Sequence, residues 1–227
     1  MRAFLGQTVR EEKLTRLSRA AGVHLLQALG VKGSLLRNIP LNDGNERVNE
    51  FEKLVEDVKG HALTLNLLGT YLRDAHAGDI RKRDLVKLGE ADAENEHRHH
   101  AFHVMDAYVR WLESGAPVSE PADRRAESAF GTPSRRALAI LRLMGLFDRP
   151  ASSDCLDALW RGEPIAGLTE PLVGLSDAQR NIALKRLEDA KLLTVNRDAA
   201  GTLLSLDAHP LLREYFAQEL RAPYAAP

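Results

Sequence analysis

Apolar residues recur at helical spacing along the first part of the chain. The pattern predicts a first helix that Ser18 caps and Gly30 ends, because serine is favoured at a helix start and glycine just past a helix end. A polar turn follows, and Asp43 and Glu46 then have the spacing of a capping box at the start of a second helix, which Gly60 ends. The apolar faces of these two helices consist of Val23, Leu25, Leu26 and Leu29, and of Phe51, Leu54, Val55 and Val58.

Two further helices complete a predicted bundle. The segment from His61 to Asp74 is apolar over a broad arc, so we expect it to be the central and most buried helix. A fourth helix is predicted from about His97 to Glu113. The apolar positions of these helices are Leu63, Leu67, Leu68, Tyr71 and Leu72, and Phe102, Met105, Val109 and Leu112. The pattern therefore predicts an all-helical domain over residues 18–113.

The composition changes after this bundle to proline, alanine, serine and charged residues. Residues 114–131 show no sustained apolar period, and we predict that they link two domains. Thr132 and Pro133 then have the residue types of an N-cap and a first helical turn. The apolar positions of the helix that follows are Leu138, Leu141, Leu143 and Leu146.

The second predicted domain, residues 132–221, contains two more helices before a hairpin. One helix is short and spans Ser152 to Trp160, and the next begins at the capping-box pair Ser176 and Gln179. The apolar positions of the latter are Ile182, Ala183, Leu187 and Ala190. Two apolar runs, 192–195 and 203–206, flank the polar turn 196–201, a pattern typical of a β-hairpin. The fold class that we predict is mainly α, a helical bundle followed by a winged-helix domain with a small β-hairpin.

The composition of the chain argues against several classes of function. The 227 residues are 44% hydrophobic, enough to bury the cores of two small domains, and the formal net charge of −1 provides no basic excess for nucleic acid or an anionic membrane. No apolar run approaches the roughly 20 residues that cross a bilayer, and no targeting segment is visible at Met1, so we expect a cytoplasmic protein. The single Cys155 excludes an internal disulfide framework and a multi-cysteine zinc site. We assign Cys155, in its short amphipathic helix, to the hydrophobic core.

His209 is the most informative single residue. It follows a predicted strand and precedes Pro210, which suits the first position of a helix because its missing N–H would be unpaired there. His209 is therefore predicted at the N-cap, beside the free backbone donors that make a helix start an anion site. Two interpretations remain open on these residues, a phosphate sensor and a histidine that caps the last helix for structural reasons alone.

A family resemblance follows from these residues. The segment Gly60-His61-Ala62-Leu63-Thr64-Leu65, the helical domain, the winged helix and the histidine after the hairpin together resemble the region that follows the nucleotide-binding core in signal-transducing NTPases of the STAND (NB-ARC) class. In that family a Gly-x-Pro-Leu-Ala-Leu motif lies beside the base of the nucleotide, and a Met-His-Asp motif contacts the β-phosphate of ADP. The resemblance implies nucleotide contacts at Gly60, Ala62 and Leu63, and at His209.

The sequence departs from the family at informative positions. Ala62 stands where the family usually has proline, and Pro210 replaces the aspartate after the histidine. No phosphate loop and no strand ending in paired aspartates occurs anywhere in the chain, so we expect no ATP hydrolysis and no catalytic residues. By resemblance, ADP or ATP is held through an upstream nucleotide-binding domain, of which residues 1–17 look like the tail. We expect none to bind tightly to this chain alone.

The resemblance also implies partners. These are the upstream domain in cis, a downstream sensor or repeat domain after residues 222–227, and an oligomer of the full-length protein in bacterial defence or signalling. One alternative is a DNA-binding winged-helix regulator that uses Arg180, Asn181, Lys185 and Arg186. Acidic neighbours on the same helix oppose that reading, so nucleic acid is not expected as a partner. Another alternative is an adaptor in which Tyr215, Phe216 and the tail pack against downstream domains.

Histidines cluster near the start of the fourth helix. His99 and His103 have the i, i+4 spacing that suits a metal, but no glutamate or cysteine completes a motif. A solvated helix start is the simpler explanation, and we predict no metal site.

Overall fold

The computed structural model describes residues 16–41, 46–86, 96–114 and 133–221, without the side chains of residues 96, 97 and 133. Over these ranges the chain is mainly helical, as predicted, with two small antiparallel sheets. The helices are α1 (Arg19–Ala28), α2 (Glu50–Asp57), α3 (Ala62–His76), α4 (Glu96–Glu113), α5 (Pro133–Met144), α6 (Ser153–Arg161), α7 (Asp177–Asp189) and α8 (Pro210–Arg221), with a 3-10 helix at Ile80–Leu85. The strands are β1 (Ile39–Pro40), β2 (Arg47–Val48), β3 (Ala151–Ser152), β4 (Thr194–Arg197) and β5 (Leu203–Asp207). Within the described ranges, none of the helices combines the length and apolar character needed to span a membrane.

Local sequence sets most helix starts. Ser18 caps α1 as predicted, because its Oγ accepts a hydrogen bond from the Ala21 N–H at 3.2 Å. Ser176 and Gln179 form the predicted capping box of α7, in which each side chain accepts from the other residue's N–H. These two predictions are confirmed.

The start of α2 corrects one prediction. Asn49 is its N-cap, with a side chain that accepts from the Glu52 N–H at 2.9 Å, and Glu52 accepts from the Asn49 N–H in return at 3.0 Å. Asp43 lies outside the described residues, and Glu46 pairs with Arg19 of α1 instead of capping a helix. The helix starts late because β2 lies directly before Asn49 and pairs with β1, so the backbone there is extended.

Helix α3 is buried over most of its circumference, as the broad apolar arc predicts. It packs against α1 on one side and α4 on another. Its buried residues are Thr64, Leu65, Leu67, Leu68, Gly69, Thr70, Tyr71 and Leu72. This burial makes α3 the centre of the N-terminal helices.

Helix α4 contacts both halves of the chain. It packs against α3, and also against α5 and α8. The Tyr215 hydroxyl of α8 donates to Asp106 of α4 at 2.7 Å, and the Thr70 hydroxyl of α3 donates to the carbonyl of Ala190, just after α7, at 3.2 Å. Buried apolar residues form one continuous cluster through both halves. The division into two domains stays a prediction, because most of the predicted linker lies outside the described residues.

The predicted hairpin forms as β4 and β5, with Val195 opposite Leu206. β4 starts at Thr194 and not at Leu192, because Leu192 and Leu193 are buried directly after α7. β3 pairs with the other side of β5, giving the strand order β3-β5-β4. Sequence pattern does not predict β3, because two residues are too few to show a period of two.

Three residues predicted to be in the core are exposed. Cys155 is exposed because the buried face of α6 is formed by Leu156 and Trp160, and the preceding position lies about 100° away around a helix of 3.6 residues per turn. Ile182 is 65% exposed and Leu146, which follows the end of α5, is 52% exposed. The buried face of α7 consists of Ala183, Leu184 and Leu187.

Candidate functional site

His209 lies in the turn between β5 and α8. β5 ends at Asp207 and α8 begins at Pro210, so the histidine stands directly before the first helical turn. Its Nδ1 accepts a hydrogen bond from the Leu211 N–H at 3.2 Å. Arg213 of α8 pairs with Asp207 across the turn. His209 therefore caps the helix, so the predicted structural role is confirmed.

This cap determines what the rest of the ring can do. Because Nδ1 accepts a hydrogen bond, the neutral ring carries its proton on Nε2, which is then a donor. The residue is exposed, and the desolvation of the covered part of the ring lowers the pKa of His209 from its ordinary value. At neutral pH, His209 thus offers an uncharged N–H donor at a surface position, a group suited to a phosphate or carboxylate oxygen.

Gly60 lies in the break between α2 and α3 with a φ of 64°. Its carbonyl accepts a hydrogen bond from the Leu17 N–H at 2.8 Å, so the chain that leads into α1 crosses this glycine. A Cβ at Gly60 would stand only 2.4 Å from the Leu17 carbonyl oxygen. The left-handed backbone favours glycine here and the close approach requires it, which confirms its structural role as a helix break.

Ala62 and Leu63 form the first turn of α3. The cap of this helix is His61, whose Nδ1 accepts from the Thr64 N–H at 3.4 Å. Ala62 is exposed and Leu63 is half-buried against the core. Of the three predicted contacts in this segment, Gly60 is buried, Leu63 is half-buried and Ala62 is exposed.

The predicted site residues lie at the starts of two helices, α3 and α8, and both of these helices contact α4. Gly60, Ala62 and Leu63 lie at the start of α3, whereas His209 lies at the start of α8, which packs on α5 and α4. α4 packs against both α3 and α8.

A cleft of about 340 Å³ opens between α6, the start of α7 and the turn between β4 and β5. None of the four predicted site residues lines it. Its charged and aromatic lining residues are Trp160, Arg161, Arg180, Arg197, Asp157 and Asp177. Sequence reasoning missed this cleft because its walls come from three separate elements and meet only in the folded chain.

The two arginines of α7 stack on tryptophan rings, and its lysine pairs with an aspartate of the same helix. The Arg180 guanidinium lies 4.7 Å from the centre of the Trp160 ring, and that of Arg186 lies 5.5 Å from the centre of the Trp111 ring. Lys185 pairs with Asp189 at 3.0 Å. Contacts within the chain thus engage all four side chains considered for a DNA major groove, since Asn181 accepts from Arg197 at 3.1 Å, which argues against that alternative.

The adaptor alternative is weakened in the same way. Phe216 is fully buried, and Tyr215 donates its hydroxyl to Asp106. The tail after Arg221 lies outside the described residues. Phe216 therefore stabilises the chain itself, and the hydroxyl of the partly buried Tyr215 is engaged within the chain.

His99 and His103 are neighbours on α4, as their i, i+4 spacing predicts. The Nε2 atoms of His99 and His103 lie 2.7 Å apart, close enough for one ring to donate to the other. Desolvation, followed by the charge of His99, lowers the pKa of His103. In the part of the chain that the structure describes, no group of three or more histidine, cysteine, aspartate or glutamate side chains is arranged to hold a metal ion.

Neither a scan against protein-family models nor a search of curated proteins found a match to this chain.

Proposed function

We propose that this chain is the regulatory region of a STAND-type nucleotide-dependent switch, and that it helps to hold ADP in the closed state of that switch. The order α5, α6, α7 and then the β4–β5 hairpin supports the interpretation of residues 132–221 as a winged helix, with the hairpin as its wing. The N-terminal helices α1–α4 then correspond to the helical domain that follows the nucleotide-binding core in this class.

The donor at His209 carries this proposal. A histidine held by its own helix start, with Nδ1 occupied and Nε2 facing away from that bond, is arranged to donate to an acceptor outside the domain. A phosphate of bound ADP is the acceptor that the family resemblance supplies. A hydrogen bond to a charged group contributes about 1.5–3 kcal/mol, which changes the ratio of closed to open states by about tenfold or more.

The start of α3 provides the second contact. Leu17 donates to the Gly60 carbonyl, so the segment that enters α1 lies directly against this helix start. A nucleotide-binding domain joined through that segment would lie near the exposed Ala62. Because Ala62 replaces the proline of the family motif and offers only a methyl group, we expect it to contribute less to ADP binding than His209.

Contacts around α4 connect the two sites. The Tyr215–Asp106 hydrogen bond and the ion pair of Arg98 with Glu214 at 2.6 Å attach α8 to α4. α4 in turn packs along α3. A movement of α8 that follows nucleotide exchange must therefore either break these contacts or carry α4 with it.

The chain is proposed to supply contacts and not chemistry. It contains no phosphate loop, so ADP or ATP depends on the upstream nucleotide-binding domain for most of its binding energy. We also propose two partners: a sensor domain downstream of this chain, and further copies of the full-length protein in an active oligomer.

The test compares variants of His209 in the full-length protein that includes the nucleotide-binding domain. His209→Ala removes both the cap and the Nε2 donor, whereas His209→Asn keeps a capping acceptor and places its amide N–H near the Cδ2 position of the ring, short of Nε2. We expect both variants to weaken ADP binding about tenfold, measured by calorimetry, while only the alanine variant loses stability. His24→Ala, an exposed histidine on α1, is the matched control. An asparagine variant that binds ADP like the wild type would overturn the proposal.

A further inference from the structure

Two residues in the wall of the cleft between α6, α7 and the β4–β5 turn each carry a buried hydrogen-bond donor that has no acceptor within the described residues. Trp160 is only 3% exposed, and its indole Nε1–H has no hydrogen-bond partner within the described residues. The Nε–H of Arg180 likewise finds no acceptor in this part of the chain. Both residues line the cleft. Because a buried donor without an acceptor costs free energy, two of them in one wall indicate a place that an acceptor can enter.

Arg180 makes only long polar contacts within the described residues. Its guanidinium stacks on Trp160, but its polar contacts are long, at 3.4 Å to the Leu175 carbonyl and 3.5 Å to Asp177. The Asp177 side chain is 90% exposed, so this ion pair is weak. An acceptor that reaches the guanidinium therefore displaces no strong polar bond, and the stacking on Trp160 can stay in place.

The charges of the cleft favour an anionic ligand. Three arginines and two aspartates line it, so its formal charge is +1 on a chain whose net charge is −1. Arg197 is fixed by hydrogen bonds to Asn181 at 3.1 Å and to the Gly201 carbonyl at 3.2 Å. Among the residues that the structure describes, Arg161 pairs with Asp157 alone, at 3.4 Å, and its side chain is 73% exposed.

We infer that this cleft binds a small oxyanion, a phosphate or a carboxylate group carried by a small molecule. The unpartnered side-chain groups of the wall are donors, and the nearest cations are guanidinium groups, which match the planar oxygens of both anions. The volume of about 340 Å³ lies within the range of small-molecule sites, roughly 300–1,000 Å³. The inference does not depend on His209 or on the proposed nucleotide switch.

The two tryptophans of the chain allow a direct test. A ¹H–¹⁵N spectrum of the protein contains two indole signals, which the variants Trp160→Phe and Trp111→Phe assign. Inorganic phosphate and acetate are titrated separately, with sodium chloride adjusted to hold the ionic strength constant. We expect the Trp160 signal to move with saturation while the Trp111 signal stays in place. Saturation by phosphate or by acetate identifies which of the two anions the cleft takes.

Two surface variants separate a specific site from general charge. Arg161→Gln removes a guanidinium of the cleft, and Arg149→Gln removes an exposed, aspartate-paired arginine outside it. We expect the first to raise the dissociation constant about threefold to fivefold, and the second to leave it unchanged. Equal effects of both variants would overturn the inference. So would a Trp160 signal that neither anion moves, or that moves linearly without saturation.

Discussion

Replacing Gly60 with alanine tests how the chain is anchored at the start of α3. The new Cβ would meet the Leu17 carbonyl oxygen at 2.4 Å, closer than any normal contact, and the backbone φ of 64° is unfavourable for residues with a side chain. The left-handed backbone costs about 1–2 kcal/mol. Displacing Leu17 also breaks its 2.8 Å hydrogen bond to the Gly60 carbonyl, a further loss of about 1 kcal/mol.

The expected total loss for Gly60→Ala is therefore about 2–3 kcal/mol in the free energy of unfolding. For a chain of this size, each 1 kcal/mol lowers the melting temperature by about 2–4 °C, so we expect a decrease of about 4–12 °C. Urea unfolding and calorimetry measure the two quantities independently.

Gly174 provides the matched control. It has a similar left-handed backbone, with a φ of 78°, but a Cβ there would meet no atom within 4 Å. Gly174→Ala should therefore show only the backbone cost, about 1–2 kcal/mol, and the difference between the two variants measures the contact with Leu17. Equal losses in both variants would show that the close approach of Leu17 to Gly60 contributes nothing.

Two other predictions concern acid stability and a thiol. Hydrogen bonds from the Ser34 N–H at 2.6 Å and from Arg81 at 3.2 Å lower the pKa of Glu50 from its ordinary 4.5. Its stabilising effect is fully present above about pH 4.5 and is lost as the pH falls through the lower folded-state pKa, so Glu50→Gln should flatten the decline of unfolding free energy at acid pH; an unchanged pH slope would contradict this. Because Cys155 is exposed, a thiol reagent should label it stoichiometrically in the native protein, and Cys155→Ser should change stability by less than about 0.5 kcal/mol. A thiol that reacts only after unfolding would refute this placement.

Sequence patterns that span only one or two helical turns predicted the helices well. Ser18 and the Ser176–Gln179 pair cap their helices as expected, since a cap depends only on residues three positions apart. The hairpin and the cap at His209 follow from equally local patterns. The nucleotide contact proposed for His209 needs a second domain, and no local pattern can test it.

Pairing between very short strands accounts for the elements that the sequence pattern did not predict. β1, β2 and β3 have two residues each, so they exist only because a partner strand supplies the hydrogen bonds. The β1–β2 hairpin moved the cap of α2 from the predicted Asp43 to Asn49.

The amino-acid sequence by itself determined the helical content, most caps and the position of the one strong hairpin, because these depend on neighbours in the chain. Tertiary packing determined which side of α6 faces inward, and so exposed Cys155. It also turned Arg180 and Arg186 onto tryptophan rings and formed the cleft around Trp160. Burial and site geometry depend on which surfaces meet in space, and residues far apart in the sequence make those surfaces.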